Sequence, residues 1–364
     1  MASETVLMIG TRKGLWLATS DDERRSWTVR GPEEPMSEVH AVAIDKRRET
    51  PRLLAGSKSW HWGPQVIRSD DLGHTWERSP DGAVKFPEDT ETSLEAVWAI
   101  APSPCEEGVV WAGTEPQALF KSTDHGESFE MVRGLWNHPH RTEWGAGFGG
   151  PAIHTVLPHP TDPRQVTVAM STGGAYRTLD GGKTWAPVNQ GIKAEFFPGE
   201  VQYPEFGQCV HKVARDSGDP DRLYAQNHGG VYRSDDGGEK WTSIADGLPA
   251  DFGFPVVAHP SQPGTLYVFP LDAAEGRWPH EGRARVYRSR DAGGTWEELG
   301  KGLPDGGFWS AVMRDAMCAD DGDPAGVYIG SRDGTVFASA DEGDSWQVAA
   351  EHLPDVLCVR AAVL

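Results

Sequence analysis

Short runs of alternating apolar and polar residues recur along the chain: "QVIRS" (65–69), "ALFKS" (118–122), "AYRT" (175–178), and "VYRS" at 231–234 and again at 286–289. A period of two buries every second side chain, so each run predicts a half-buried strand. Every run then leads into a similar octet. It reads "SDDLGHTW" from Ser69, "STDHGESF" from Ser122, "TLDGGKTW" from Thr178, "SDDGGEKW" from Ser234, "SRDAGGTW" from Ser289 and "SADEGDSW" from Ser339. A worn copy, "SDDERRSW", starts at Ser20 and has Arg24 in place of the glycine. A polar catalytic loop is not needed seven times at intervals of about 50 residues, so the octet predicts a structural turn. Its Asp (Asp71, Asp124, Asp180, Asp236, Asp291 or Asp341) would accept turn amides. The Gly two positions on would supply positive φ, and the closing Trp or Phe would pack its large apolar body between units.

Each interval between octets reads as four short strands. In the repeat after Ser69 these are Glu95–Ala101, Val109–Gly113, Leu119–Ser122 and Ser128–Val132. Four strands per repeat of this length predict propeller blades. The N-terminus begins on a second strand, "TVLMIG", and the missing first strand stands at the other end, in "DVLCVRAAVL". The expected fold is therefore all-β: a single seven-bladed β-propeller over residues 1–364, with four-stranded antiparallel blades, closed by the C-terminal strand pairing with the N-terminal blade. Blade 1 is 356–364 plus 5–30, and blades 2–7 are 39–78, 95–133, 153–189, 210–245, 254–299 and 309–349.

The octet resembles the Asp-box, or BNR repeat, S-x-D-x-G-x-T-W. That repeat occurs in sialidases, oligoxyloglucan-type glycoside hydrolases, the sortilin ectodomain and photosystem II assembly factors. The resemblance spans almost the whole chain and implies a propeller, but such relatives share a fold more than a chemistry. A sialidase would carry an arginine cluster, a Tyr nucleophile and an early R-I-P segment on six blades; here no R-I-P occurs and seven copies are counted. The oligoxyloglucan-type hydrolases imply a carboxylate pair across a cleft. Glu95, Glu115, Glu143, Glu205, Asp272 and Asp333 are available, and the sequence alone does not pair them.

Charge narrows the partners. With 34 Lys and Arg against 54 Asp and Glu, the net charge is −20, which argues against nucleic acid and anionic membrane. The four cysteines are scattered, with no CxxC pair, so neither a zinc knuckle nor a disulfide framework is expected. The start shows no secretory pattern and no apolar run approaches the length of a spanning helix, so the expected location is cytoplasmic.

In a propeller meander the octets lie at one end of the blades, together with the short turns holding His159 and His259, which are expected to be structural. The long insertions, Arg78–Leu94, Gly134–Pro151, Asn189–Gln208 and Leu271–Arg285, fall at the other end, where long loops on a rigid scaffold carry function. Aligning "VHAVAID", "IHTVLPH" and "VHKVARD" puts His40, His154 and His211 at one register of the first strands, opposite Ala96, Phe254, Ser310 and Cys358, with Glu95 beside them. Three imidazoles at a channel mouth could hold one divalent transition metal. They could also act with Glu95 as general acid and base, or hydrogen-bond the backbone of a neighbouring blade. The candidate catalytic residues are thus His40, Glu95, His154 and His211. A substrate rim would comprise Trp60, His61, Trp62, Glu143, Trp144, His228 and Arg332, with 142–151 as a glycine-rich lid. The implied function is hydrolysis or elimination on a small polar molecule or glycan; the competing reading is a non-catalytic scaffold for a partner protein.

Overall fold

The computed structural model describes residues 4–21, 23–147, 150–273 and 276–364. Asp22 of the worn octet, Phe148 and Gly149 of the expected lid, and Ala274 and Glu275 of the last insertion lie outside them. The chain is all-β. Among the described residues, five four-stranded antiparallel sheets accompany one eight-stranded sheet, and the one α-helix is the single turn Arg133–Trp136. Among the described residues no helix is long and apolar enough to cross a membrane. In the repeat after Ser69 the strands are Ala96–Pro102, Val110–Glu115, Ala118–Ser122 and Glu130–Met131, within two residues of the boundaries expected from alternation.

By packing, the chain divides into two compact units. Unit 1 comprises 1–33, 190–203 and 211–364, and unit 2 comprises 34–189 and 204–210. In unit 1 the eight-stranded sheet is two four-stranded groups joined by one parallel bridge, Asp315↔Cys358. The C-terminal strand Val356–Val363 pairs antiparallel with Glu4–Thr11, from Thr5↔Val363 to Thr11↔Val356. Leu7, Ile9, Tyr267, Phe269, Tyr328 and Ile329 are fully buried in its core. In unit 2 the inward residues of three sheets form two clusters, one around Leu54, Val110 and Phe120 and the other around Trp111, Ile153 and Tyr176.

The octets fold alike. In the Ser69 copy the Ser69 hydroxyl donates to Asp71 Oδ1 (2.8 Å) and accepts the Gly73 amide (2.7 Å). Asp71 also accepts the Thr75 amide (2.8 Å) and hydroxyl (2.6 Å). The same set recurs around Asp124, Asp180, Asp291 and Asp341. Each octet Gly has φ between +81° and +100°. The residue before it is left-handed too, even when it is Leu72, His125, Ala292 or Glu342. The carboxylates are thus consumed by their own turns.

A second repeated device closes the far side of the first turn. In unit 2 the residue after, or at, the end of each first strand (Asp45, Ser103 or His159) accepts amides of the following turn. Asp216, His259 and Asp320 do the same in unit 1. His159 and His259 accept through Nδ1, which fixes both imidazoles as structural acceptors.

The worn octet departs for a visible reason. Arg24 takes the left-handed conformation (φ +53°) that glycine takes elsewhere. Its buried guanidinium reaches Asp320 (Nε–Oδ2 3.3 Å) and the Pro324 carbonyl (2.8 Å) in the last repeat.

Candidate functional site

At the ends of the unit 2 sheets opposite the octets, each first strand carries a β-bulge. The register slips between Val39 and Ala41, between Val97 and Ala99, and between Ile153 and Thr155. The bulged residues are therefore His40, Trp98 and His154, and the equivalent of the two histidines is Trp98, two residues beyond the Ala96 that alignment by sequence selects. A bulge adds a residue to one strand and re-aims its side chain; the extra residue is the signal that alternation alone hides.

His40 Nε2 lies 3.1 Å from Glu38 Oε2, and its ring stacks on Trp98 (centroids 4.6 Å, planes 26° apart). Trp98 Nε1–H donates to Glu115 (2.8 Å). Glu95 is exposed, with the Lys58 ammonium 3.9 Å away. His154 is buried, with Thr155 Oγ1 at 3.2 Å from Nδ1 and Ser171 Oγ at 3.4 Å from Nε2. In unit 2 the predicted cluster is thus two separate arrangements: a partly buried Glu38–His40–Trp98–Glu115 chain, and a histidine enclosed by hydroxyls.

Above the first arrangement stands the tip of the hairpin Arg52–Ser59/Gly63–Ser69. The Ser59 hydroxyl accepts the amides of His61 (3.2 Å) and Trp62 (3.3 Å) and so shapes the turn. Gly63 supplies positive φ with open space around it. The indoles of Trp60 and Trp62 are 81% and 77% exposed. Cross-strand pairing sets Lys58 opposite Glu38 and Ser59 opposite Ser37, so the tip adjoins the Glu38–His40 pair.

The expected lid is anchored over its first part. Trp144 is buried, and its Nε1–H donates to the Tyr176 hydroxyl (2.8 Å), which also lies 3.0 Å from His140 Nδ1. His140 stacks on Phe206 at 4.0 Å. Burial, and then the neighbouring His140, lowers the pKa of His138. Glu143 stays exposed beside this anchor. An open polar groove of about 910 Å³ runs along the helical turn, lined by Lys121, Arg133, His138, Lys183 and Trp185 among others.

In unit 1, His211 is buried, with Nδ1 2.6 Å from the Gly253 carbonyl and its ring stacked on Phe254. Burial, then the charge of Arg314, takes its pKa down to about 3. His228 packs edge-on to His211, Phe196 and Phe252, and burial, then Arg277, lowers its pKa too. Arg332 is exposed and pairs with Asp355 (2.9 Å). In the same unit Trp309 is exposed and meets Trp278 edge-to-face at 5.5 Å; alternation and octet counting pass over both.

No family model matches the sequence. Among curated proteins, the chain is 25% identical over 301 residues to a xyloglucanase of Hypocrea jecorina, covering 72% of this chain and 32% of that protein. It is 27% identical over 251 residues to the oligoxyloglucan-reducing end-specific xyloglucanase of Emericella nidulans, covering 61% and 30%. The chain thus spans about a third of the length of these relatives. Among solved structures it is similar to a GH74 enzyme of Niastella koreensis, with a TM-score of 0.61 at 17% identity over 95% of this chain and 52% of that one. It is also similar to YCF48 from Cyanidioschyzon merolae, with a TM-score of 0.57 at 17% identity over 89% and 88%. At these identities the structural likeness speaks for the fold. The fold is propeller-like.

Proposed function

We propose that this chain is a seven-bladed, glycoside-hydrolase-like propeller that binds a glycan at the octet-free end of unit 2. The observation that carries this reading is the pair of indoles, Trp60 and Trp62, more than three-quarters exposed on one hairpin tip beside Glu38, Lys58 and Glu95. Exposed indoles present a flat apolar surface to the C–H face of a pyranose, and neighbouring carboxylate and ammonium groups satisfy its hydroxyls. The xyloglucanase relatives support a sugar ligand. Binding is favoured over turnover because the nearby carboxylates are engaged, Glu38 by His40, Glu95 by Lys58 and Glu115 by Trp98. A glycosidase instead needs two free carboxyls facing across the scissile bond. The test is isothermal titration of the chain with xyloglucan oligosaccharide, wild type beside Trp60→Ala/Trp62→Ala, with a reducing-sugar assay run in parallel. Weakened binding or a lower stoichiometry in the variant, without release of reducing ends, is the expected result; equal binding and stoichiometry in both proteins overturns the reading.

A second reading, a scaffold for a partner protein, draws on one observation in unit 1. Phe196, Phe197, Val201 and Tyr203 are all exposed on the 189–208 insertion, as apolar side chains awaiting a partner are. The YCF48 likeness fits that role.

A further inference from the structure

We infer that Trp309 and Trp278 form a second sugar-binding platform, in unit 1, for an uncharged pyranose chain. It involves neither Trp60 nor Trp62. The first observation is that Trp309 is exposed (62%) yet packed on backbone. A Cβ on Gly282 would meet three carbons of the Trp309 benzo ring at 2.8–3.0 Å, so this ring rests directly on glycine backbone. Gly282 has φ +64°, a conformation that favours glycine. Trp278 is seated likewise: a Cβ on Gly276 (φ +132°) would fall within 2.2–2.7 Å of its ring.

The second observation is the backbone bonding at Gly282 and at Trp278. The Phe308 amide donates to the Gly282 carbonyl (2.8 Å), and the Ala284 amide to the Pro304 carbonyl (3.0 Å). The Asp272 amide donates to the Trp278 carbonyl (2.8 Å). Phe308, next to Trp309, is buried in the core. An indole held by packing underneath and by an edge-to-face neighbour at 5.5 Å loses little side-chain freedom when a ligand lands on it. That is the condition under which exposed aromatic area becomes affinity.

The third observation is the rim. His280 Nδ1 lies 3.1 Å from Asp272, and Arg283 Nε lies 3.0 Å from Asp305, which Arg285 also contacts. These ion pairs lie on the same loops as the indoles, and their charges answer one another. A charged ligand would face both signs at short range. A neutral ring with an apolar C–H face and hydroxyls around its edge fits both parts: the face on the indole, the hydroxyls on the carboxylates and guanidinium. A lipid or a bare apolar side chain would use the indoles and leave the rim unmatched.

The test uses the full chain labelled with 5-fluorotryptophan, with ¹⁹F resonances assigned by single Trp→Phe variants and titrated with cellohexaose and xyloglucan oligosaccharide. The Trp309 resonance is expected to shift saturably. Trp309→Ala, a surface change that leaves the core intact, is expected to weaken calorimetric binding about tenfold at this site. Gly282→Ala, which keeps both indoles and displaces the ring of Trp309, is expected to weaken it comparably, and thermal melts of each variant verify folding. If the Trp60 and Trp62 resonances move while Trp309 stays fixed at saturation, the second platform is refuted and the first site stands. If Trp309 moves while Trp60 and Trp62 stay fixed, the reading given under the proposed function falls and this one stands. Resonances unmoved at both places refute both.

Discussion

The two ends of the same sheets use their polar residues in opposite ways. At the octet end, side chains look chemical and are structural: Asp341 accepts the hydroxyls of Ser339 (2.7 Å) and Ser345, and the Ser345 amide (2.8 Å). At the other end the turns are irregular and leave indoles in solvent. Repetition is the discriminator. A group that recurs with the same partners in every repeat is holding a turn, whereas Trp60, Trp62 and Trp309 occur once each and touch little that a turn needs. If the contrast is right, changes at the octet end should cost stability, and changes at the other end should cost binding.

The largest loss is expected at the one octet that breaks its own pattern. Arg24 and Asp320 are both buried, and Asp320 also accepts the Tyr328 hydroxyl (2.6 Å) and the amides of Gly322 (2.9 Å) and Gly326 (2.8 Å). Arg24→Gly restores the consensus glycine and relieves the left-handed arginine. It also strands a buried carboxylate, and breaking such a pair costs about 3–5 kcal/mol. Urea unfolding should show a net loss in that range less the backbone relief, and Arg24→Gly/Asp320→Asn should recover part of it. A stability gain in the single variant would mean that the worn octet is simply decayed. Next in size is Asp341→Ala, expected to cost about 1–3 kcal/mol through the turn donors it leaves unmet.

Acid should act on the two ends through different groups. The unfolded chain takes up a proton on His211 near pH 6.5, which the folded chain, with this pKa at about 3, refuses. Stability should therefore fall as the pH drops from about 6.5 towards 3, and His211→Phe should flatten that limb. The Thr184 hydroxyl and amide hold the Asp180 carboxyl at about 2, below its ordinary 3.8. Its stabilising contribution is complete above about pH 4 and is lost as the pH falls towards 2. Urea midpoints measured from pH 8 to pH 2, with His211→Phe beside wild type, separate the two windows.

Much of this was legible in the chain, for physical reasons. A two-residue alternation closed by a fixed turn sequence is a local signal, so the strands around Ser122 were placed to within two residues and the octet Asp bonds followed from turn chemistry. The candidate site was harder to read. The bulges at His40, Trp98 and His154 insert a residue without changing composition, so alignment by spacing chose Ala96 where the fold puts Trp98. Trp144 looked like part of a free lid because the glycines after it are visible in sequence; its anchor, Tyr176, lies 32 residues on. Trp309 and Trp278 carry no motif, and only the two glycines beneath them distinguish a seated indole from a loose one.

The smallest effect on stability is expected from Trp60→Ala/Trp62→Ala, and it is the most telling for the comparison. Both indoles are exposed, a Cβ on Gly63 beside them would meet nothing within 4 Å, and the turn is held by the Ser59 hydroxyl and backbone amides rather than by the rings. Exposed substitutions away from such supports change stability by about 0.5 kcal/mol or less, so the melting temperature should stay within a degree or two of wild type. A large drop would show that the indoles pack the tip, and the octet-free end would then be construction as well. An unchanged melt together with glycan binding lost at this tip would separate the two roles on a single hairpin, because the Ser59 turn would persist without the surface it presents.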